Sequence, residues 1–239
     1  MEATALGTLK RGYAACAQAT GKLLERVGIL DEDPPPRDHR LRHWAYSLTR
    51  AHDSIGISEL DVPWWTYGAI DAVESWLARQ DRDVRAFEWG SGASTIWLAR
   101  RVATVRSVEH HAEFGTMIQQ QLTAWPNATL DVVEPVQCES PAISSAKEGH
   151  GGLDFTDYVR HIDTIDGVFG LIVVDGRARE ACLTAALPRL EPDGIIVFDN
   201  TMRRRYRRAI AAAPVNEQVY RGLTPTLPYP DQTSVLTRR

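Results

Sequence analysis

The sequence predicts an α/β fold: a mostly parallel sheet with helices on both faces, a late antiparallel strand and an N-terminal helical extension. Three observations predict it. From residue 84 onward, short β-prone segments alternate with helical ones, which implies crossover connections and a sheet covered on both faces. The end of the chain breaks that alternation, with two β-prone segments flanking a proline-rich loop. The first 60 residues carry helical periodicity only, interrupted by three consecutive prolines.

The elements follow in order. Over residues 3–30, Leu6, Leu9, Tyr13, Leu23, Leu24 and Val27 recur at amphipathic spacing, weakened by Gly12 and Gly21. Pro34, Pro35 and Pro36 then stop the helix, because they lack donors and force extended backbone. A second helix is expected over residues 41–51. A third opens at Pro63-Trp64-Trp65-Thr66-Tyr67 and runs to about residue 79, with Ile70, Val73, Trp76 and Leu77 on one face. Strands are expected at 84–89, 104–109, 129–133, 171–175 and 194–199, and helices at 95–101, 112–124 and 179–190. Segments 217–221 and 233–237 are expected to pair as late strands. This divides the chain into an extension, 1–60, and a main domain, 61–239. The extension holds Leu23, Leu24, Trp44 and Tyr46, more apolar surface than a free tail exposes. It is therefore expected to pack over the site or against a second subunit of a homo-oligomer.

Composition bounds the function. With 239 residues, 44% hydrophobic and 24% charged, the chain is globular. Its apolar runs, such as 194–198, are far short of the ~20 residues that a membrane span needs, and no membrane partner is expected. The first ten residues show no cationic segment leading into an apolar one. Cys16, Cys138 and Cys182 fit no zinc or redox spacing. A reduced, cytoplasmic protein is the expectation. The net charge of −4 offers phosphate backbones little general attraction, so the expected partner is a small-molecule acceptor and not nucleic acid. Only Lys10, Lys22 and Lys147 are lysines, and with the abundant alanine this arginine bias resembles a GC-rich bacterial genome.

The informative segment runs Phe87-Glu88-Trp89-Gly90-Ser91-Gly92-Ala93-Ser94-Thr95. A buried strand enters a glycine turn and then a helix. Such a turn can be purely structural, but its glycines also permit positive φ and close ligand approach. The free amides of the helix start favour polar ligand groups. Nineteen residues after Gly90, the next strand ends in Glu109, where a carboxylate can accept both hydroxyls of a ribose. A nicotinamide site usually has a third glycine where this chain has Thr95. Glu88 would repel a pyrophosphate and suit a cation. These residues read as a site for a positively charged nucleoside without phosphates, a description that S-adenosylmethionine meets.

FEWGSGAST, SVEHH, LIVVDGRARE and GIIVFDN, in that order and spacing, resemble the class I S-adenosylmethionine-dependent methyltransferases, over roughly residues 60–239. The resemblance implies a Rossmann-like methyltransferase sheet. It implies that Glu88, Gly90, Ser91 and Gly92 cradle the methionine part, that Glu109 holds the ribose and that His110 flanks the adenine. Tyr67 lies just before the first strand, where its hydroxyl could reach the cofactor carboxylate. The implied activity is methyl transfer to a nucleophile, most naturally oxygen. The alternatives are a nicotinamide-dependent reductase, which Thr95 and Glu88 disfavour, and a non-catalytic S-adenosylmethionine-binding scaffold.

Asp175 ends the fourth predicted strand, and Asp199-Asn200 the fifth, so all three should face one crevice. The arrangement is similar to the catechol and caffeoyl-coenzyme A O-methyltransferases, which implies that Asp175, Asp199 and Asn200 could hold Mg²⁺. Against the metal, Arg177 or Arg179 could pair with Asp175, leaving Asp175 and Asp199 to act directly near the methyl donor. Turn capping is the bland alternative for all three. Trp64 and Trp65 read as core, and His150 as a solvated residue of a long loop. His43 has no neighbour in sequence that makes a site. Arg203, Arg204, Arg205, Arg207 and Arg208 read as a solvated helix face whose first members lie near the crevice rim.

Overall fold

The computed structural model describes residues 33–50 and 58–239. The helix expected over 3–30 lies outside the described residues. Helix α1 (Arg40–Ser47) follows the prolines and continues as a 3₁₀ turn, Leu48–Arg50. Helix α2 (Tyr67–Leu77) begins after the aromatic cluster, burying Ile70, Val73 and Trp76 as its periodicity predicts. Strands β1 (Arg85–Trp89), β2 (Thr104–Glu109) and β3 (Ala128–Val132) are linked by α3 (Ala93–Ala99) and α4 (Ala112–Leu122). The long connection that follows holds a small ribbon, β4 (Val136–Gln137) with β5 (Leu153–Asp154), and helix α5 (Thr156–Arg160). Then come β6 (Phe169–Val174), α6 (Arg179–Ala186), β7 (Leu190–Asp199), α7 (Arg204–Ala212), β8 (Val215–Gly222) and β9 (Asp231–Arg238).

Seven strands form one sheet in the order β3-β2-β1-β6-β7-β9-β8. Strands β3, β2, β1, β6 and β7 are parallel, and β9 inserts antiparallel to both β7 and β8. The central strands are apolar on both faces because helices cover both. Leu171, Val173, Ile195 and Val197 enter a core with Trp65, Ile70 and Trp97. Their alternates Ile172, Val174, Ile196 and Phe198 enter a second core with Tyr158, Leu183 and Tyr206. A period of two thus divides each strand between two helical layers. Tyr46 of α1 is buried in the first of these cores.

The chain runs outward from β1 to β3, then returns to place β6 on the other side of β1. That reversal opens a crevice at the carboxyl ends of β1 and β6, where open α/β sheets bind ligands. Among the described residues, no helix is long and apolar enough to cross a membrane.

Candidate active site

A crevice of about 630 Å³ lies at this switch point, lined by the turn Gly90–Gly92, by Glu109 and His110, and by Asp175, Asp199 and Asn200. Each comes from the end of a parallel strand, so the topology brings together residues up to 110 positions apart in the chain.

The glycine turn is held from both sides. Gly90 adopts φ +92°, and a Cβ there would lie 2.9 Å from the backbone nitrogen of Gly176. The turns after β1 and β6 pack backbone to backbone, which only glycine permits at this φ. The side chain excluded at Gly90 would therefore strike the neighbouring turn, not open ligand space. Thr95, where a third glycine might stand, has its own task. Its hydroxyl accepts the Gly92 N–H (3.1 Å) and donates to Glu88 Oε2 (2.6 Å).

Glu88 is fully buried beneath the turn, so it does not line the crevice. Ser107 also donates to its Oε2 at 2.7 Å, while Oε1 has no partner. Burial lifts the carboxyl to about 7, against the hydrogen bonds of Ser94, Thr95 and Ser107, with the charge of Asp175 adding to the rise. Glu109 is the opposite case. Burial pushes it up, but the His110 ring, 2.6 Å away, and the amides of Ser91 and His111 hold it below the usual carboxylate range. The Ser91 hydroxyl adds a further bond at 3.3 Å.

At the other end of the crevice, Arg179 joins the two aspartates. Its Nη2 lies 2.7 Å from Asp175 Oδ1, and its Nη1 lies 3.9 Å from Asp199 Oδ2. The same guanidinium donates to the carbonyls of Asp175, Gly176 and Asp199. Burial raises both carboxyls; Arg179 and Arg177 oppose the rise at Asp175, whereas Asp175 itself adds to the rise at Asp199. Thr233 donates to Asp199 Oδ1 at 2.7 Å. Asn200, at φ +56°, donates its amide to Asp231 Oδ2 at 2.8 Å. The expected Mg²⁺ site on Asp175, Asp199 and Asn200 does not fit this arrangement. The cation between the carboxylates is Arg179, and Asn200 is turned to Asp231. Among the described residues, no group of three His, Cys, Asp or Glu side chains could hold a metal ion.

Tyr67 departs from expectation as well. It is buried, is not part of the crevice lining, and its hydroxyl lies 2.7 Å from His43 Nδ1 on α1. Burial, which raises the phenol above its ordinary range, suits this neutral pairing. Trp65 is core, whereas Trp64 reaches the crevice. His150 is no solvated loop residue: it lines the crevice, its ring stacked on Phe155 and 5.8 Å from His110. Burial pushes its imidazole below the ordinary value. Sequence reasoning missed Asp231 and Tyr229, which lie at and before the start of β9. In the sequence only the proline-rich composition of residues 222–232 sets apart the segment that brings them to the crevice.

The fold is that of the class I S-adenosylmethionine-dependent methyltransferases. The comparisons agree. Residues 87–201, from β1 to just past β7, match the family model of a methyltransferase domain, and the chain is a methyltransferase of that kind. An rRNA methylase from Streptococcus thermophilus shares the fold at a TM-score of 0.51 and 13% identity, over 71% of this chain and 95% of that one. TrmN from Thermus thermophilus does so at a TM-score of 0.50 and 13% identity, over 76% of this chain and 49% of that one. No curated protein sequence matches the chain. One expectation is overturned here. The low net charge suggested a small-molecule partner and no nucleic acid, yet the same sheet occurs in an rRNA methylase, so the exclusion fails. Net charge averages over the whole surface, whereas recognition depends on the local charge around the crevice.

Proposed function

We propose that this methyltransferase moves the sulfonium methyl of S-adenosylmethionine to an oxygen nucleophile at the Asp175 end of the crevice, without metal. The carrying observation is the acidic corner itself. Asp175, Asp199 and Asp231 border the crevice, and a single guanidinium, Arg179, compensates the first two. An oxygen nucleophile brings a proton that must leave as the methyl arrives. A carboxylate lifted by burial is suited to accept it.

In this reading Glu109 receives the ribose hydroxyls, which take the places of the Ser91 hydroxyl, a donor to Oε2, and of the His110 ring, which lies 2.6 Å from Oε1. The turn Gly90–Gly92 faces the methionine end, and Glu88, buried beneath that turn, offers charge to a cationic ligand from below without touching it. His110 lies beside the adenine. The sulfonium is already activated, so the protein's part is to align the nucleophile with the methyl and exclude water. The methyl–sulfur bond breaks as the oxygen–carbon bond forms, S-adenosylhomocysteine leaves as a neutral thioether, and the proton passes to Asp175.

The test is production of S-adenosylhomocysteine in chelator, against hydroxyl-bearing compounds, amines and RNA. Transfer to oxygen that falls in Asp175→Asn supports the reading. Transfer to nitrogen alone, or full activity in that variant, refutes it.

A further inference from the structure

Five arginines in six positions, 203–208, are more than a solvated helix requires, and the structure divides them. Arg207 pairs with Glu217, and Arg205 lies 3.4 Å from Glu180. Arg203 makes no ion pair among the described residues. It touches both the main crevice and a hollow beside it, and so does Arg177. Lys147 lines the same hollow.

The acids nearby are already engaged. Glu180, in the hollow, faces Arg205; Asp175 is bound by Arg179; Asp231 accepts from Asn200. Arg177 finds only weak partners: its Nη1 reaches the Gly176 carbonyl at 3.4 Å, and its buried Nε has none. Burial and then the like charge of Arg179 make its guanidinium less favourable, a penalty that a bound anion would relieve. The hollow thus joins the crevice at two cationic side chains without carboxylate partners, next to the residue proposed as base. Guanidinium groups match phosphate oxygens in geometry as well as charge.

We propose that Arg177 and Arg203, with Lys147, form a phosphate-binding rim that holds an anionic group of the methyl acceptor beside Asp175. This rests on the reading of the crevice as the methyl-transfer site, and it names the acceptor class as a phosphorylated compound. The phosphate can be a terminal monoester or a diester of a nucleic acid strand.

The test uses the full chain saturated with S-adenosylhomocysteine, titrated with inorganic phosphate and with an eight-residue oligouridylate. At least one probe should bind, with affinity falling tenfold or more in both Arg203→Ala and Arg177→Ala. It should stay within twofold in Arg208→Ala, which removes an exposed charge at the far end of the run. Tighter binding of inorganic phosphate points to a monoester. Tighter binding of the oligomer, weakening steeply with salt, points to a diester. Either supports the rim. Absence of binding by both probes, or affinities unchanged in both variants, overturns it. Titration of S-adenosylhomocysteine into the same proteins separates the two readings, since its normal binding alongside a failed phosphate titration would fault the rim alone.

Discussion

Arg179 joins Asp175 to Asp199: one guanidinium nitrogen lies 2.7 Å from an Asp175 carboxylate oxygen, and another lies 3.9 Å from an Asp199 carboxylate oxygen. Both partners sit at the ends of adjacent parallel strands, β6 and β7, and both are raised by burial. Arginine supplies the positive charge that related carboxylate arrangements can draw from a metal ion. It also ties the turn after β6 to the end of β7 through three backbone carbonyls.

Removing Arg179 should therefore be felt as lost stability. Arg179→Ala leaves buried Asp199 and part-buried Asp175 without their ion-pair partner, and breaking a buried pair typically costs about 3–5 kcal/mol. Urea denaturation should show the loss, and Arg179→Lys should recover part of it. Chelator should change neither stability nor turnover, and turnover abolished by chelator and restored by magnesium would overturn the metal-free account.

Asp175→Asn should lower kcat by about 10²–10⁴, the usual share of a general base, with little change in S-adenosylmethionine affinity. Asp199→Asn should cost less, because Asp199 is buried and already bonded to Thr233. The ionised form is the active base, so turnover should rise with pH. Burial should place that rise above the ordinary carboxylate range. The limb should vanish in Asp175→Asn, which a pH–rate profile would reveal.

The parts of this site that the sequence disclosed are those set by local spacing. The glycine turn and Glu109, which line the crevice, and Glu88 buried beneath them belong to a strand–turn–helix–strand unit, and the strands around them alternate visibly between apolar faces. Arg177 and Arg179 were indistinguishable as partners of Asp175, since only the start of α6 decides which one turns inward. Tyr67, expected at the cofactor carboxylate, pairs instead with His43, because His43 lies on α1 and the docking of that helix leaves no periodic signal. Asp231 and His150 reach the crevice from irregular segments, the first meeting Asn200 across 31 residues of chain. Loop paths of that kind follow from packing, not from local pattern.

Glu88 should make stability depend on pH. Its folded value of about 7 exceeds the ordinary 4.5, so the folded state holds the proton more tightly. The associated stability is complete below about 4.5 and is lost as pH rises through 7, on the order of 3 kcal/mol in all. Glu88→Gln should raise Tm relative to the parent at pH 8 and show a smaller gap at pH 5. S-adenosylmethionine, being cationic, should bind the parent more tightly across the same rise in pH, and calorimetry should find that dependence flattened in the Gln variant.

Helix α1 contacts the loop that leads into β9. Trp44 Nε1 donates to the Leu227 carbonyl at 2.9 Å, and Ser47 Oγ accepts the Thr226 amide at 2.9 Å. Helix α1 thus fastens the loop that carries Thr226, Leu227 and Tyr229 into the crevice. Trp44→Ala should speed amide exchange in residues 223–230 and leave S-adenosylmethionine affinity within twofold. Unchanged exchange in that loop would show that α1 does not hold it.

In the proposed function this crevice binds S-adenosylmethionine through Glu109 and the glycine turn. Calorimetric titration of S-adenosylmethionine and of NADH, into the parent and into Glu109→Ala, tests it most directly. The expected result is saturable S-adenosylmethionine binding by the parent, none of NADH, and a loss of about 1–3 kcal/mol in the variant, the usual scale for an unpaired charged hydrogen bond. Binding of NADH in place of S-adenosylmethionine, or unchanged affinity in a folded Glu109→Ala protein, would contradict it.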